Sequence, residues 1–199
     1  MYIMFIIKDI GLVGSYYALN KILEKYCDKK VARNFVCVAH ASTSVVMNTM
    51  HLITGNYLNL ALDISKGYFL YDLYYMLKYD IKHTFTYAYI YHHLATLCCL
   101  YRNIHGSSLT LLLGELSNLP TYMVYHTIKT DKENTKKIKL YKKIQKYMYG
   151  LIRVPMMTYC LYKSFTNKNI DKTSLCLMTP VYCMGLYYTK HLFCNKSSI

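Results

Sequence analysis

Two adjacent histidines, His92 and His93, lie in a segment whose other residues are mostly apolar, and a carboxylate, Glu115, follows one apolar hairpin later. Ionisable groups are costly within a membrane helix, so those that occur there usually face a cavity and serve a function. Histidine with a carboxylate nearby is suited to transferring protons or to attacking a carbonyl group. We therefore predict a catalytic site that contains His92, His93 and Glu115.

Helix geometry predicts that the two histidine side chains point in different directions. Successive residues of an α-helix point about 100° apart, whereas residues four apart share a face. The spacing therefore predicts that His92, Thr96 and Cys99 line one cavity, and that His93 supports the site from behind or points to a neighbouring helix. The alternative is that both histidines are hydrogen-bonding contacts between membrane helices.

Two other polar residues within apolar windows are predicted to contribute to substrate binding. We expect His40 to face the same cavity as His92. Arg153 needs a partner if it is buried, and Glu115 on the preceding helix is the candidate. Thr96 completes the predicted substrate-binding set.

Asp72 is the remaining candidate catalytic residue. The run Tyr68–Asp72 that contains it offers no local partner of opposite charge. Lys78 and Lys82 in the following connector, or a histidine on a neighbouring helix, are the candidate partners. In a catalytic site, Asp72 or Glu115 would orient a histidine ring and stabilise its charged form.

The helices that position these residues are predicted from composition. Hydrophobic residues make up 54% of the chain and charged residues 17%, which favours a membrane protein over a soluble one. The net charge of +14 does not indicate a nucleic-acid partner, because the lysines lie between apolar windows rather than along one face. The predicted windows are 3–23, 34–53, 58–77, 86–101, 107–126, 147–165 and 174–194.

The distribution of basic residues predicts the orientation of these spans. Cytoplasmic loops are enriched in Lys and Arg. With an external N-terminus and seven spans, most basic residues fall inside, including Lys82, Lys196 and eight lysines of the 127–146 connector. The outside segments then hold only Arg102, Lys163, Lys168 and Lys172. We therefore expect an external N-terminus and a cytosolic C-terminus; six spans, with the first window lying on the membrane, is the alternative.

Several of these residues resemble the TLC-domain family of multi-pass membrane lipid proteins, which includes ceramide synthases. The resemblance covers residues 33–194 and depends on the order of short motifs on successive spans. These motifs are Arg33-Asn34 with His40, then Tyr68-Phe69-x-Tyr71-Asp72, then His92-His93-x-x-Thr96.

The resemblance implies an all-α membrane protein with six helices around a lipid cavity and one additional N-terminal helix. Residues 1–30 would form that helix and its connector, and residues 31–199 the TLC-like domain. It also implies acyl transfer from acyl-coenzyme A, as a co-substrate, to a sphingoid base in the endoplasmic reticulum, with His92 and His93 in the catalytic positions. No bound cofactor or metal is expected.

One segment departs from the ceramide synthases, which carry a His-Asp-x-x-Asp run on the helix after the histidine pair. Residues 114–118 here read Gly-Glu-Leu-Ser-Asn, so Glu115 is the one carboxylate that remains. This departure keeps a second hypothesis open, a non-catalytic lipid-binding protein that regulates membrane lipid composition. A di-iron lipid hydroxylase is disfavoured because its HxxxH and HxxHH spacings are absent from the sequence.

Overall fold

The computed structural model describes residues 2–81, 84–102, 106–166 and 172–194, and helices dominate this part of the chain. Lys82, Lys168 and Lys196, which contribute to the topology prediction, lie outside the described residues. The helices are α1 (Tyr2–Leu23), α2 (Lys29–Thr54), α3 (Leu58–Tyr75), α4 (Thr84–Tyr101), α5 (Ser107–Thr130), α6 (Thr135–Tyr147), α7 (Val154–Thr166) and α8 (Lys172–Cys194).

Two π-helical segments extend these helices. Met76–Asp80 continues α3, and Met148–Arg153 joins α6 to α7 without a break. The described residues therefore form seven continuous helical rods and contain no strand, which confirms the prediction of an all-helical fold. Both π segments end at a charged residue, Asp80 or Arg153.

Local sequence explains where α2 begins and ends. The Asp28 carboxylate accepts a 2.8 Å hydrogen bond from the Lys30 backbone N–H, which satisfies a free donor in the first turn. Gly55 ends the helix with a φ of 73°, a left-handed conformation that glycine adopts without steric cost, and its N–H donates to the His51 carbonyl. A short turn then leads directly into α3.

The lysine-rich segment 127–146 is more ordered than the predicted connector. Helix α5 continues to Thr130, residues 131–134 form the turn, and α6 begins after Asn134, whose side chain accepts a 3.1 Å hydrogen bond from the Lys137 backbone N–H. Lysine and glutamine are good helix formers, so a high charge does not prevent helix formation here. Helix α6, which holds most of these lysines, therefore continues into the rod that contains α7.

Six helices pack into a closed ring. Going around it, α2 contacts α3, α3 contacts α4, α4 contacts α8, α8 contacts α7, α7 contacts α5, and α5 returns to α2. Helix α1 lies outside this ring and packs against α3 and α2. A ring of this kind encloses a space that is reached from its ends.

The core lies where α2, α3, α4 and α5 meet. Aromatic residues of α3 dominate it, and large aromatic side chains bury much apolar surface in a small number of positions. Its buried members are Val36, Cys37, Leu62, Tyr68, Phe69, Tyr71, Tyr75, Leu97, Leu100 and Leu111.

Charged and small residues attach α1 to the ring. Lys8 of α1 forms an ion pair with Asp63 of α3, which also contacts Lys66 at 3.1 Å. A Cβ atom added to Gly67 of α3 would lie 2.4 Å from the Leu12 Cβ, so the two helices approach closely at this point. The absence of a side chain at residue 67 is therefore a condition of the α1–α3 contact.

By length and mean hydropathy, one of the described helices, Lys29–Thr54, meets the criteria for a membrane span. Charged residues interrupt several of the other windows, among them Lys8 and Asp9 in α1 and Asp63 and Lys66 in α3.

We predict that Gly67→Ala lowers the free energy of unfolding by about 1–3 kcal/mol, because a well-packed contact must open to admit the methyl group. Thermal unfolding of the detergent-purified protein measures this change. Gly11→Ala in α1 is the matched control, because a Cβ atom there has no neighbour within 4 Å. Equal stability of the two variants would contradict the close approach.

Candidate functional site

A buried carboxylate, that of Asp72 on α3, joins three helices. Arg33 of α2 donates to both of its oxygens, from Nε to Oδ1 at 2.8 Å and from Nη2 to Oδ2 at 3.0 Å. The remaining Arg33 nitrogen, Nη1, donates to Asp80 Oδ2 at 2.6 Å. Two-point binding of a carboxylate by a guanidinium is strong and directional, so this contact fixes α2 against α3.

His93 extends the cluster to α4. Its Nε2 atom lies 3.0 Å from Asp72 Oδ2, and its Nδ1 atom donates to the Tyr89 backbone carbonyl at 2.8 Å. With an oxygen next to each nitrogen, the ring is fixed in orientation. His93 is 6% exposed and points to the neighbouring helix α3, and its ring also borders the larger of two cavities described below.

His92 lies in different surroundings. Among the described residues, its imidazole has no hydrogen-bond partner, and it lines two adjoining cavities. The Phe69 ring packs edge-on against it at a centroid distance of 6.3 Å. His92 is thus the histidine of the pair whose nitrogens remain available to a bound molecule.

The smaller cavity has a volume of about 150 Å³ and lies among α4, α5, α7 and α8. Thr96 and Cys99 line it together with His92, and the Thr96 hydroxyl donates to the His92 carbonyl at 2.8 Å. Aliphatic side chains form one part of its wall, among them Leu100, Leu111, Met157, Leu161, Leu175, Met178 and Leu186. This lining fits a hydrocarbon chain.

The larger cavity, of about 930 Å³, lies toward the end of the ring where α2 and α4 begin and α3, α5 and α8 end. Its volume is at the upper end of the range for small-molecule sites, about 300–1,000 Å³. Its wall includes Lys30, the Arg33–Asp72–His93 cluster and several tyrosines. His92, Glu115, Asn118 and Arg153 line both cavities and form their polar boundary.

Glu115 does not pair with Arg153, and that prediction was wrong. The Glu115 Oε1 atom instead lies 3.6 Å from His40 Nε2, and its buried Oε2 has no hydrogen-bond partner among the described residues. The α5 helix turns Glu115 toward α2 rather than toward the π segment that holds Arg153.

His40 is also in a different position from the predicted one. It is fully buried and does not line either cavity. Its ring stacks on the Tyr68 ring with centroids 3.8 Å apart and planes 8° apart. His40 therefore contacts the site indirectly, through Glu115, Tyr68 and Phe69, which line the cavities.

Arg153 lies over the Tyr149 ring and donates from Nη1 to two neutral oxygens. These are Asn118 Oδ1 at 2.7 Å and Tyr149 Oη at 3.0 Å. The Tyr149 hydroxyl in turn donates to Asn118 Oδ1 at 2.9 Å. The π-helical segment thus places a cation on the cavity wall beside neutral groups.

A family model described as the TLC domain matches residues 18–194, which include the whole ring of helices and all of the site. The chain belongs to the TLC-domain family. No curated protein and no solved structure matches it significantly. The match extends the resemblance seen in the sequence into the last six residues of α1, 18–23. TLC-domain proteins are lipid-related membrane proteins.

Within this TLC domain, the described residues contain no group of three or more His, Cys, Asp or Glu side chains arranged to hold a metal ion.

Three residues of the TLC-domain site were not predicted from the sequence: Arg33 as a partner of Asp72, and Asn118 and Tyr149 as partners of Arg153. Arg33 is 39 residues from Asp72 and precedes the predicted 34–53 window. Its position in the second turn of α2 was the available signal, since an arginine there reaches across to the end of α3. For Asn118 the available signal was its place in residues 114–118, where it takes the position of the second aspartate in the His-Asp-x-x-Asp run of the ceramide synthases.

We predict that Arg33→Met destabilises the TLC domain by about 3 kcal/mol, because it leaves the Asp72 carboxylate buried without its main partner. Thermal unfolding in detergent measures the loss. Lys30→Met, which removes an exposed cation from the same helix, is the matched control. The double variant Arg33→Met/Asp72→Leu should recover part of the stability, because no unpaired carboxylate is then buried. An Arg33→Met variant as stable as Lys30→Met would show that the Arg33–Asp72 pair does not stabilise the domain.

Proposed function

We propose that this TLC-domain protein is an acyltransferase that moves an acyl group from acyl-coenzyme A to the amine of a lipid such as a sphingoid base. The observation that carries the proposal is the position of His92, an imidazole without a partner among the described residues, between a narrow aliphatic cavity and a large polar one. A thioester bound across this boundary would have its chain in the first cavity and its carbonyl beside His92.

His92 would act as a general base. As the amine nitrogen attacks the thioester carbonyl, His92 accepts the proton that the nitrogen loses, and the new C–N bond forms as the C–S bond breaks. The proton then passes to the departing sulfur, so coenzyme A leaves as a thiol. In a covalent route, the same nitrogen of His92 would carry the acyl group first.

The other predicted catalytic residues support this reaction in different ways. Asp72 would act on His93 rather than on His92, since it is held by Arg33 and lies 3.0 Å from His93. His93 would then be a positioning residue that fixes the register of α4. Glu115, with a buried unpaired oxygen on the cavity wall, would accept a hydrogen bond from the amine of the acceptor.

The phosphates of coenzyme A are proposed to lie at the end of the ring with the larger cavity. Lys30 lines the cavity there, and α6, which carries several exposed lysines, begins close to this end. Phosphates pair readily with lysine ammonium groups. A cytosolic position of this end would suit acyl-coenzyme A, and an endoplasmic-reticulum location and a function in lipid metabolism follow from the family alone.

One observation favours a second candidate function, non-catalytic lipid binding that regulates membrane composition. Among the described residues, no carboxylate lies within hydrogen-bonding distance of His92, so its ring lacks the orienting acid that a catalytic triad would supply. In that case, the cavity and its polar boundary would hold a lipid without transforming it.

We expect membranes that contain the wild-type chain to transfer a labelled acyl group from acyl-coenzyme A to a sphingoid base. His92→Ala should lower this rate by at least about 100-fold, because a general base contributes roughly 10²–10⁴-fold. His126→Gln is the matched control, because His126 lines neither cavity. No product above background from a well-expressed wild type would favour the lipid-binding function.

The predicted topology is also open to a direct test. Seven rods that each cross the membrane place the two termini on opposite sides, with the N-terminus external and the basic helix α6 cytosolic. A glycosylation acceptor tag should be modified at the N-terminus and remain unmodified at the C-terminus. Modification of neither tag would indicate six spans with α1 on the membrane surface.

A further inference from the structure

Arg153 differs from Arg33, the other arginine on the cavity wall, in having no carboxylate partner. Arg33 contacts Asp72 and Asp80. Within the described ranges, by contrast, no carboxylate oxygen lies within 4 Å of Arg153, whose two hydrogen bonds go to neutral oxygens.

The direction of the Arg153 guanidinium leaves one of its edges available. Nη1 makes both hydrogen bonds, so Nε and Nη2, the two nitrogens of the side-on edge, have no partner among the described residues. A Cβ atom built on Gly185 of α8 would lie 3.6 Å from Nε. The missing side chain at residue 185 therefore keeps space open beside this edge, and Gly185 lines both cavities.

The chemistry of this edge specifies its ligand. Two parallel N–H groups of a guanidinium match the two oxygens of a carboxylate or a phosphate. A cation inside a membrane helix bundle is costly without a counter-charge, so an arginine without one favours an anionic ligand. The adjoining aliphatic cavity of about 150 Å³ has room for part of one hydrocarbon chain.

The geometry points to a binding subsite at Arg153 for the ionised head of a single-chain lipid, a carboxylate or a phosphate monoester. The Nε and Nη2 atoms hold two oxygens of the head, and the chain lies along the aliphatic cavity. Tyr149 and Asn118 keep the guanidinium in this orientation. The subsite goes beyond the proposed function, because neither the thioester group nor the amine of a sphingoid base is anionic; the two proposals share the aliphatic cavity.

A binding experiment without coenzyme A or an amine tests the subsite. Purified protein in an uncharged detergent is titrated with palmitate, hexadecyl phosphate and hexadecanol, which have the same chain length and differ in the head. The wild type should bind at least one of the two anions about tenfold or more tighter than the alcohol, as expected for charge-assisted hydrogen bonds. The anion that binds more tightly identifies the head.

Variants of Arg153 and Gly185 distinguish loss of the subsite from misfolding of the protein. Arg153→Gln should weaken anion binding by about tenfold or more and leave hexadecanol binding unchanged. Gly185→Leu should cause the same loss with Arg153 in place, whereas Gly185→Ala should bind normally because a Cβ atom fits there. Lys163→Gln, which removes an exposed cation of α7, controls for net charge.

Two results would overturn the subsite: equal binding of hexadecanol and both anions by the wild type, or undiminished anion binding by a folded Arg153→Gln variant. The binding titration involves no acyl transfer. Its result therefore remains valid even if the protein proves not to be an acyltransferase. Conversely, acyl transfer that depends on His92 without anion binding would support the enzyme and refute the subsite.

Discussion

The contact between Arg33 and Asp72 is the constraint on which the ring depends. It joins α2 to α3 by a two-point ion pair, and the same carboxylate lies 3.0 Å from His93 on α4. Three of the six ring helices are therefore fixed relative to one another at a single buried group. Because α4 is rigid over this length, fixing His93 also fixes the direction in which His92 points.

Two polar side chains on the cavity wall, His92 and Arg153, retain hydrogen-bonding capacity. Most buried polar groups in proteins have hydrogen-bond partners. Here both oxygens of Asp72 accept hydrogen bonds from Arg33, whereas the imidazole of His92 and the Nε and Nη2 atoms of Arg153 have no partner among the described residues and line both cavities. Unused hydrogen-bonding capacity beside a cavity is what a ligand site requires.

Features that depend on the local sequence were predicted more completely than contacts that depend on how the helices pack. Apolar windows placed the helices, and helical periodicity placed His92, Thr96 and Cys99 on one cavity wall. The partners of Glu115 and Arg153 were not predictable, because they depend on how each helix is rotated in the ring and on a π segment that changes the direction of residue 153. The helicity of α6 was missed because its lysines suggested a solvated connector.

The two histidines have different surroundings although they are neighbours in the chain. A slip of one residue along α4 would turn its side chains by about 100°, moving His92 away from the cavity and His93 away from Asp72. A pair of adjacent imidazoles is therefore ambiguous as a motif, since either member can be the exposed one. In this protein the ambiguity is resolved outside α4, by the arginine at the start of α2.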